Sequence, residues 1–200
     1  MAGVDGKSRK FEMILVGAST GGPNALIELF THLPKDVRLP ILVVQHMPQG
    51  YTSVLAERIA REVGRVCREA VNGETPEPGV IHIAPAGSHL VLVSENHQIK
   101  LALNQDPPVN FCRPSVDRLF ESAAGHLGSS AIGVILTGIG QDGAEGCRLL
   151  ALAGGHVLVQ DEASSVVWGM PGSAVENGSA AVALPVPEIA RTLSRLVSGR

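Results

Sequence analysis

MILVGASTGGPN, residues Met13–Asn24, predicts the first strand, turn and helix of the molecule. Met13–Val16 is a short apolar run of the kind that forms a buried parallel strand. A glycine-rich segment follows, and apolar residues then recur at helical spacing over Ala25–Phe30. Strand, tight turn and helix form the first half of a βαβ unit. Ser19 lies in the turn, at the end of the strand and beside the positive end of the helix, where an oxygen nucleophile or a bound anion is favoured.

Two interpretations of this turn compete. One is a nucleotide- or phosphate-binding loop, the commonest use of a glycine-rich turn at this place. The turn does not match G-x-G-x-x-G, because Ser19 stands where the middle glycine would be, and no P-loop lysine follows. The next apolar strand, Ile41–Val44, is followed by Gln45 and His46 and not by an acidic residue that would hold a ribose. The other interpretation is a turn that presents Ser19 as a nucleophile, and the turn alone does not decide between them.

Composition limits the class of protein. The chain has 200 residues, enough for one domain with a sizeable core, and it is 44% hydrophobic and only 18% charged. Small aliphatic residues and 23 glycines suit a doubly wound α/β fold, a mostly parallel sheet flanked by helices. The net charge of -3 gives no basic surface for nucleic acid. We predict a disordered leader at residues 1–10 and a single domain over residues 11–200.

The cysteines and the N-terminal residues indicate a cellular compartment. Cys67, Cys112 and Cys147 form no CxxC motif and are expected to be reduced core thiols of a cytoplasmic protein. The first apolar run breaks at Gly17, so it is neither a signal peptide nor a membrane span. We therefore expect no membrane insertion.

Apolar periodicity predicts the remaining elements. Strands are expected at Ile41–Val44, Val66–Val71, Ala131–Leu136, His156–Gln160 and Ala181–Leu184. Helices are expected at Tyr51–Val63, Pro114–Leu127, Ala144–Leu152 and Pro187–Val197, and a loop at Asp161–Met170. Three further strand candidates follow one another too closely for crossover helices, so antiparallel hairpins at an edge or flap of the sheet are predicted for Val80–Ala84, Leu90–Ser94 and Ile99–Leu103.

Three polar residues follow buried strands and suggest a catalytic triad. The carboxyl ends of parallel strands lie along one edge of such a sheet, so Ser19, His46 and Asp142 are expected to meet there. His46 would take the Ser19 proton, and Asp142 would hold the imidazole and stabilise its charged form. The chain order differs from that of α/β-hydrolases, so that fold is not assigned. The backbone N–H groups of Thr20 and Gly21 are the expected oxyanion donors.

Simpler explanations exist for each residue taken alone. A lone histidine after a strand is often an ordinary loop residue, and Asp142 could cap the helix that follows it. The coincidence of all three at strand ends favours the triad. His89, in the hairpin region, could approach the site. The histidines, cysteines and acids show no metal-ligand spacing along the sequence, so neither a metal nor a cofactor is predicted.

Five sequence blocks together resemble one known family, the chemotaxis protein-glutamate methylesterases, in the catalytic domain of CheB. The blocks are GASTGGP (Gly17–Pro23), QHMP (Gln45–Pro48), RPSVDRLFES (Arg113–Ser122), LTGIGQDGAEG (Leu136–Gly146) and QDEASSVVWGMPGSA (Gln160–Ala174). The resemblance implies that Ser19, His46 and Asp142 are catalytic. It also implies hydrolysis of glutamate methyl esters, and deamidation of particular glutamines, on the cytoplasmic helices of methyl-accepting chemotaxis receptors.

The chain departs from the family pattern in three ways. Ile139, which is expected to line the site, stands where the family usually has methionine, and Gly172 stands where it usually has arginine. The family's usual N-terminal receiver domain is not found in this chain, so we expect activity without phosphorylation. Two alternatives stay open: a non-enzymatic nucleotide- or anion-binding α/β module built on the glycine turn, and the same triad serving a signalling system other than chemotaxis.

Overall fold

The computed structural model describes residues 10–179 and 182–199. The strands are β1 Met13–Ala18, β2 Ile41–Gln45, β3 Cys67–Glu69, β4 Ile81–Ile83, β5 His89–Glu95, β6 Gln98–Asn104, β7 Ala131–Ile135, β8 His156–Gln160 and β9 Val182–Leu184. The helices are α1 Gly22–His32, α2 Tyr51–Val63, α3 Val116–His126, α4 Ala144–Leu152, α5 Gly169–Glu176 and α6 Val186–Ser198.

A seven-stranded parallel sheet forms the centre, in the order β3-β4-β2-β1-β7-β8-β9. β1 lies in the middle, and all six of its residues are buried. A strand covered on both faces needs apolar side chains in both directions, which explains the continuous apolar run at the start of the chain. Because all the pairs are parallel, the loops after β1, β2 and β7 leave the sheet at the same edge.

Successive residues of β1 serve two separate cores. Ile14 and Val16 pack with α1, α2 and α6 on one face of the sheet. Met13 and Leu15 point to the opposite face, which is covered by α3, α4, α5 and the β5–β6 hairpin. The predicted doubly wound α/β fold with helices on both faces is confirmed.

The hairpin prediction is partly wrong. β5 and β6 are antiparallel, but they form a sheet of their own and not an edge of the main one. β4 belongs to the parallel sheet, where it pairs with both β2 and β3. The turn-rich connection over residues 70–80 is long enough to carry the chain back to the same end of the sheet, so parallel pairing needs no helix there.

The second correction concerns α5, which begins at Gly169, within the segment predicted as a loop. Helix propensity does not predict α5, because it contains the poor helix formers Gly169, Pro171 and Gly172. Packing stabilises it, since Met170 and Ala174 are fully buried in the core. The predicted leader, apart from Lys10, and Ala181 of the predicted last strand lie outside the described residues.

Candidate active site

Ser19 and His46 lie side by side at the carboxyl edge of the sheet. Ala18 of β1 pairs with Gln45 of β2, so the next residues emerge from neighbouring strands, which run about 4.8 Å apart. Ser19 N donates to the carbonyl oxygen of Thr137 at 3.0 Å, and His46 N donates to that of Ala18 at 3.0 Å. The backbone of the central strands therefore fixes where both side chains start.

The side chain of Gln45 links the backbones of Ser19 and His46. Its side chain is buried, and Nε2 donates to the carbonyl oxygens of Ser19, at 2.9 Å, and His46, at 3.0 Å. Gly22 leaves the space for this amide, because a Cβ at that position would lie 2.1 Å from Gln45 Oε1. The sequence marks Gln45 only as the residue before His46, and no spacing signal points to its role as a clamp.

The structure brings His46 and Asp142 into direct contact, although 96 residues separate them in the chain. The His46 Nε2–H donates to Asp142 Oδ2 at 2.8 Å. The Asp142 carboxylate is buried and also accepts from Ser115 Oγ at 2.7 Å and from the backbone N–H groups of Val116, at 2.7 Å, and Asp117, at 3.1 Å. An acid held by four donors can fix the orientation of the imidazole ring.

Two helices exchange their caps at this point. Asp142 does not cap α4, whose N-cap is Gly143 without a side-chain hydrogen bond. It accepts instead from the first turn of α3. Asp117, on α3, accepts in return from Gly143 N at 2.9 Å and Gly146 N at 2.7 Å, at the start of α4. The positive ends of both helices therefore face carboxylates, which stabilises the charge on each.

Burial and hydrogen bonding shift the three titratable groups in different directions. Burial opposes ionisation of Asp142, but hydrogen bonds from His46 and Ser115 outweigh it and hold its pKa below the ordinary value. Burial raises the pKa of Asp117, and the Asp142 carboxylate adds to the rise against backbone hydrogen bonds that lower it. Burial also opposes the charge on His46, yet its contacts with Asp142 and Cys112 raise its pKa to about 9.

Cys112 contacts the other side of the His46 ring. Its Sγ lies 3.8 Å from His46 Nδ1 and donates to the carbonyl oxygen of Asn110 at 3.3 Å. Cys67 and Cys147 are buried, as predicted, whereas Cys112 is partly exposed, so the prediction of a core thiol is wrong for Cys112. The difference arises because Cys112 belongs to a loop at the sheet edge and not to a strand or helix.

Among the described residues, no hydrogen bond joins Ser19 Oγ to His46. The structure thus places Ser19 on the strand end beside His46 and joins His46 to Asp142 and Cys112. Donor atoms of His46, Cys112 and Asp142 all lie within 4.8 Å of one another, a grouping that sequence spacing could not reveal.

Small residues keep the space around Ser19 open. A Cβ at Gly138 would lie 2.8 Å from the Ser19 Cβ, so only glycine fits there. Gly21 is the N-cap of α1 and has a φ of 81°, and the N–H groups of Thr20 and Gly21 donate to no other described residue. Ile139 follows Gly138 and is 64% exposed at this edge.

His89 reaches the rear of the site and not its front. It is fully buried, its Nδ1 accepts from Ser115 N at 3.1 Å, and its Nε2 donates to the carbonyl oxygen of Pro107 at 3.2 Å. Burial lowers the pKa of His89, in keeping with a neutral ring in which one nitrogen accepts and the other donates. It therefore supports Ser115, which donates to Asp142.

Residues 14–193 match the family model described as CheB methylesterase. The chain belongs to this family. A protein-glutamate methylesterase/protein-glutamine glutaminase of group 2 operon from Bradyrhizobium diazoefficiens is 47% identical over 94% of this chain and 48% of its own length. A protein-glutamate methylesterase/protein-glutamine glutaminase from Maricaulis maris is 44% identical over 94% of this chain and 47% of its own length. The chain therefore spans about half the length of these curated relatives.

The structure also resembles a solved one, the Thermotoga maritima CheB methylesterase catalytic domain, with a TM-score of 0.91 and 39% identity. The match covers 94% of this chain and 100% of that domain. Gly172 stands where the CheB family pattern usually has arginine. It is buried, and a Cβ there would lie 2.8 Å from Trp168 Nε1, so a larger residue would displace the indole. None of the described helices is long and apolar enough to cross a membrane.

Proposed function

We propose that this chain is a serine hydrolase that demethylates glutamate methyl esters on methyl-accepting chemotaxis receptors in the cytoplasm. The observation that carries the proposal is the 2.8 Å hydrogen bond between His46 and the buried Asp142, at the sheet edge where Ser19 follows the central strand. The match to the full CheB catalytic domain supports the same activity.

The contacts of the His46 ring indicate which nitrogen acts as the base. Asp142 occupies Nε2, so Nδ1, which has Cys112 Sγ at 3.8 Å, is the nitrogen that would take the Ser19 proton. A rotation of the Ser19 side chain brings Oγ towards it, because the two residues lie on adjacent strand ends. The Asp142 carboxylate then stabilises the imidazolium that forms.

The reaction is acyl transfer in two steps. Ser19 Oγ attacks the ester carbonyl carbon while His46 takes its proton, and the oxyanion accepts hydrogen bonds from the N–H groups of Thr20 and Gly21. His46 then returns the proton to the methoxide oxygen, methanol leaves, and water attacks the acyl-serine by the same route. A glutamine side chain would form the same acyl-serine with loss of ammonia, so one site can serve both reactions.

The nucleophile is tested with Ser19→Ala, using methylated receptor and measuring methanol release. We expect the rate to fall on the order of 10⁴-fold or more, because the triad loses its attacking atom. Ser94→Ala is the matched control, since Ser94 is an exposed serine near the end of β5. A fluorophosphonate probe should label the wild type and the control, and not the Ser19→Ala variant.

The outcome separates the proposal from its alternatives. Near-normal methanol release by Ser19→Ala would disprove the assigned nucleophile. Absence of both labelling and release in the wild type would favour an anion-binding module. Labelling at Ser19 without release from chemotaxis receptors would favour an esterase of another signalling system.

A further inference from the structure

We propose that His46 Nδ1 and Cys112 Sγ form a binding site for a soft divalent cation, with Zn²⁺ as the type ion. A bound ion would occupy the nitrogen that the esterase reaction needs and so inhibit the enzyme. The inhibition rests on the proposed function, whereas the binding does not.

The distance between the two donor atoms fits a tetrahedral ion. Zn²⁺ binds histidine nitrogen at about 2.0–2.1 Å and cysteine sulfur at about 2.3 Å, which at a tetrahedral angle places the two donors roughly 3.6 Å apart. His46 Nδ1 and Cys112 Sγ are 3.8 Å apart, so little movement is needed to admit the ion. Thiolate and imidazole ligands also bind Zn²⁺ in preference to hard cations such as Mg²⁺.

Asp142 orients the ligand and does not bind the ion itself. Its oxygens already accept from Ser115, Val116, Asp117 and His46, so ligation would break hydrogen bonds in a buried place. The hydrogen bond from Nε2 to Asp142 turns Nδ1 towards Cys112, and Nδ1 can bind an ion once its proton has been released. A carboxylate behind a ligating histidine is the usual arrangement at zinc sites and raises the basicity of the ring.

The site is open to solvent where the other thiols are not. His46 and Cys112 both line a pocket of about 190 Å³, together with Met47, Phe111, Arg113 and Pro114. Arg113 adds positive charge to the lining. Its Nη1 donates to the carbonyl oxygens of Gln105 and Asp106, which holds the guanidinium next to those two residues. A four-coordinate ion held by His46 and Cys112 would take its other two ligands from water.

The remaining cysteines are unsuited to the same role. Burial raises the pKa of Cys67 to about 12 and raises that of Cys147 as well, so neither supplies a thiolate at neutral pH. Ion binding at Cys112 displaces the thiol proton to solvent, and any proton on His46 Nδ1 is released with it. No oxidant or reductant takes part.

Co²⁺ titration of the whole chain tests the binding directly, because a cobalt–thiolate bond gives a charge-transfer absorption in the near ultraviolet. We expect one equivalent of Co²⁺ to produce this band in the wild type, and Zn²⁺ to displace it. The band should be lost in Cys112→Ser and kept in Cys67→Ala, the matched control. A band that survives in Cys112→Ser, or disappears in Cys67→Ala, would overturn the site.

Asp142→Asn tests the supporting role of the carboxylate. We expect the band to persist with Co²⁺ affinity weakened roughly 10- to 100-fold, the usual cost of losing a partner behind a ligating histidine. An unchanged affinity would show that Asp142 does not orient the ligand, against the proposal.

Inhibition is measured separately from binding. Zn²⁺ should slow methanol release by the wild type, a chelator should restore it, and Cys112→Ser should resist the ion. A chain that gives the cobalt band but releases no methanol contradicts the proposed function and leaves the site intact. A chain that releases methanol but gives no band contradicts the site alone.

Discussion

The two sides of the His46 ring differ sharply. On the Nε2 side, a buried carboxylate receives four hydrogen bonds and is enclosed by the first turn of a helix. On the Nδ1 side, the Cys112 sulfur lies 3.8 Å away. Cys112 belongs to a loop in which the preceding residue, Phe111, is fully exposed. The first side holds the ring in one orientation. The second lines an open pocket, so under the proposed function the reactants would approach Nδ1.

We call the Nε2 side of the His46 ring the closed side and the Nδ1 side the open side. A change on the closed side should have the largest effect on the rate. In Asp142→Asn, the amide nitrogen would face His46 Nε2 and donate to it, so the ring proton moves to Nδ1. That nitrogen could then no longer accept the Ser19 proton, and we expect kcat to fall about 10⁴-fold. The measurement is methanol release from methylated receptor, with Asp36→Asn, at an exposed turn, as the control.

An Asp142→Asn variant with normal kcat would show that the carboxylate serves only the helix ends. Stability distinguishes this further, because the amide cannot accept from every backbone donor that the carboxylate holds. We expect the variant to lose about 1–3 kcal/mol of unfolding free energy for the donor left unpaired.

The open side should set the pH dependence. In the proposed reaction His46 must be neutral to accept the Ser19 proton, and its pKa of about 9 keeps it protonated at neutral pH. We therefore expect kcat/KM of the wild type to rise with pH up to about 9. In Cys112→Ser the contact with sulfur is lost, so the rise should move to lower pH, with several-fold more activity near pH 7.

Cys67→Ala is the control for that pH profile, since Cys67 lies on an edge strand at the far end of the sheet order. Coincident profiles for the wild type and Cys112→Ser would mean that Asp142 alone raises the His46 pKa. The contact with Cys112 would then contribute nothing to the His46 pKa.

The sequence predicted the central sheet and the strand-end residues well. A buried parallel strand shows as a continuous apolar run, and the carboxyl ends of such strands share an edge, so Ser19 and His46 could be placed without coordinates. Asp142 could be placed as well, but its partners could not. Its capping of α3 joins segments 25 to 27 residues apart, and no local pattern encodes that contact.

The missed features share one physical cause. Cys112 approaches His46 across 66 residues, and the Asp117 exchange with α4 spans 26 to 29 residues. Local periodicity reports burial and secondary structure, whereas these contacts depend on how helices pack. The hairpin prediction for β4 fails for the same reason, because the sequence of a short strand does not indicate whether its partner is parallel or antiparallel.

Stability should reveal the cap exchange behind the closed side. Asp117→Ala leaves the N–H groups of Gly143 and Gly146 without their acceptor, at a cost of about 1–3 kcal/mol of unfolding free energy for each. Asp117→Asn keeps one carbonyl oxygen for both donors and should cost much less. Urea unfolding at neutral pH measures the difference, and equal losses in the two variants would contradict the capping role.

The same residue predicts a pH effect of opposite sign to that of its neighbour. The folded state raises the pKa of Asp117, so its contribution to stability is fully present below the ordinary value of about 3.9 and is lost as pH rises through the folded pKa. The lowered pKa of Asp142 gives a contribution that is present above about 3.9 and lost on acidification. Asp117→Asn should therefore lose less stability than the wild type as the pH rises from about 4 to about 6.

The smallest effect is expected at the mouth of the open side, with Ile139→Met. Ile139 is 64% exposed and buries little in the chain itself, so the unfolding free energy should change by less than about 0.5 kcal/mol. It comes one residue after Gly138, where a Cβ would lie 2.8 Å from the Ser19 Cβ, so under the proposed function we expect it to face the bound receptor helix. A longer, unbranched methionine can cover more of that helix, so we expect KM to fall by up to about ten-fold with kcat unchanged. Val54→Met, at an exposed position on α2, is the matched control and should leave both constants unchanged. A fall in kcat at constant KM would contradict this assignment, because it would mean that residue 139 affects the reacting groups themselves and that the open side is as closely constrained as the closed one.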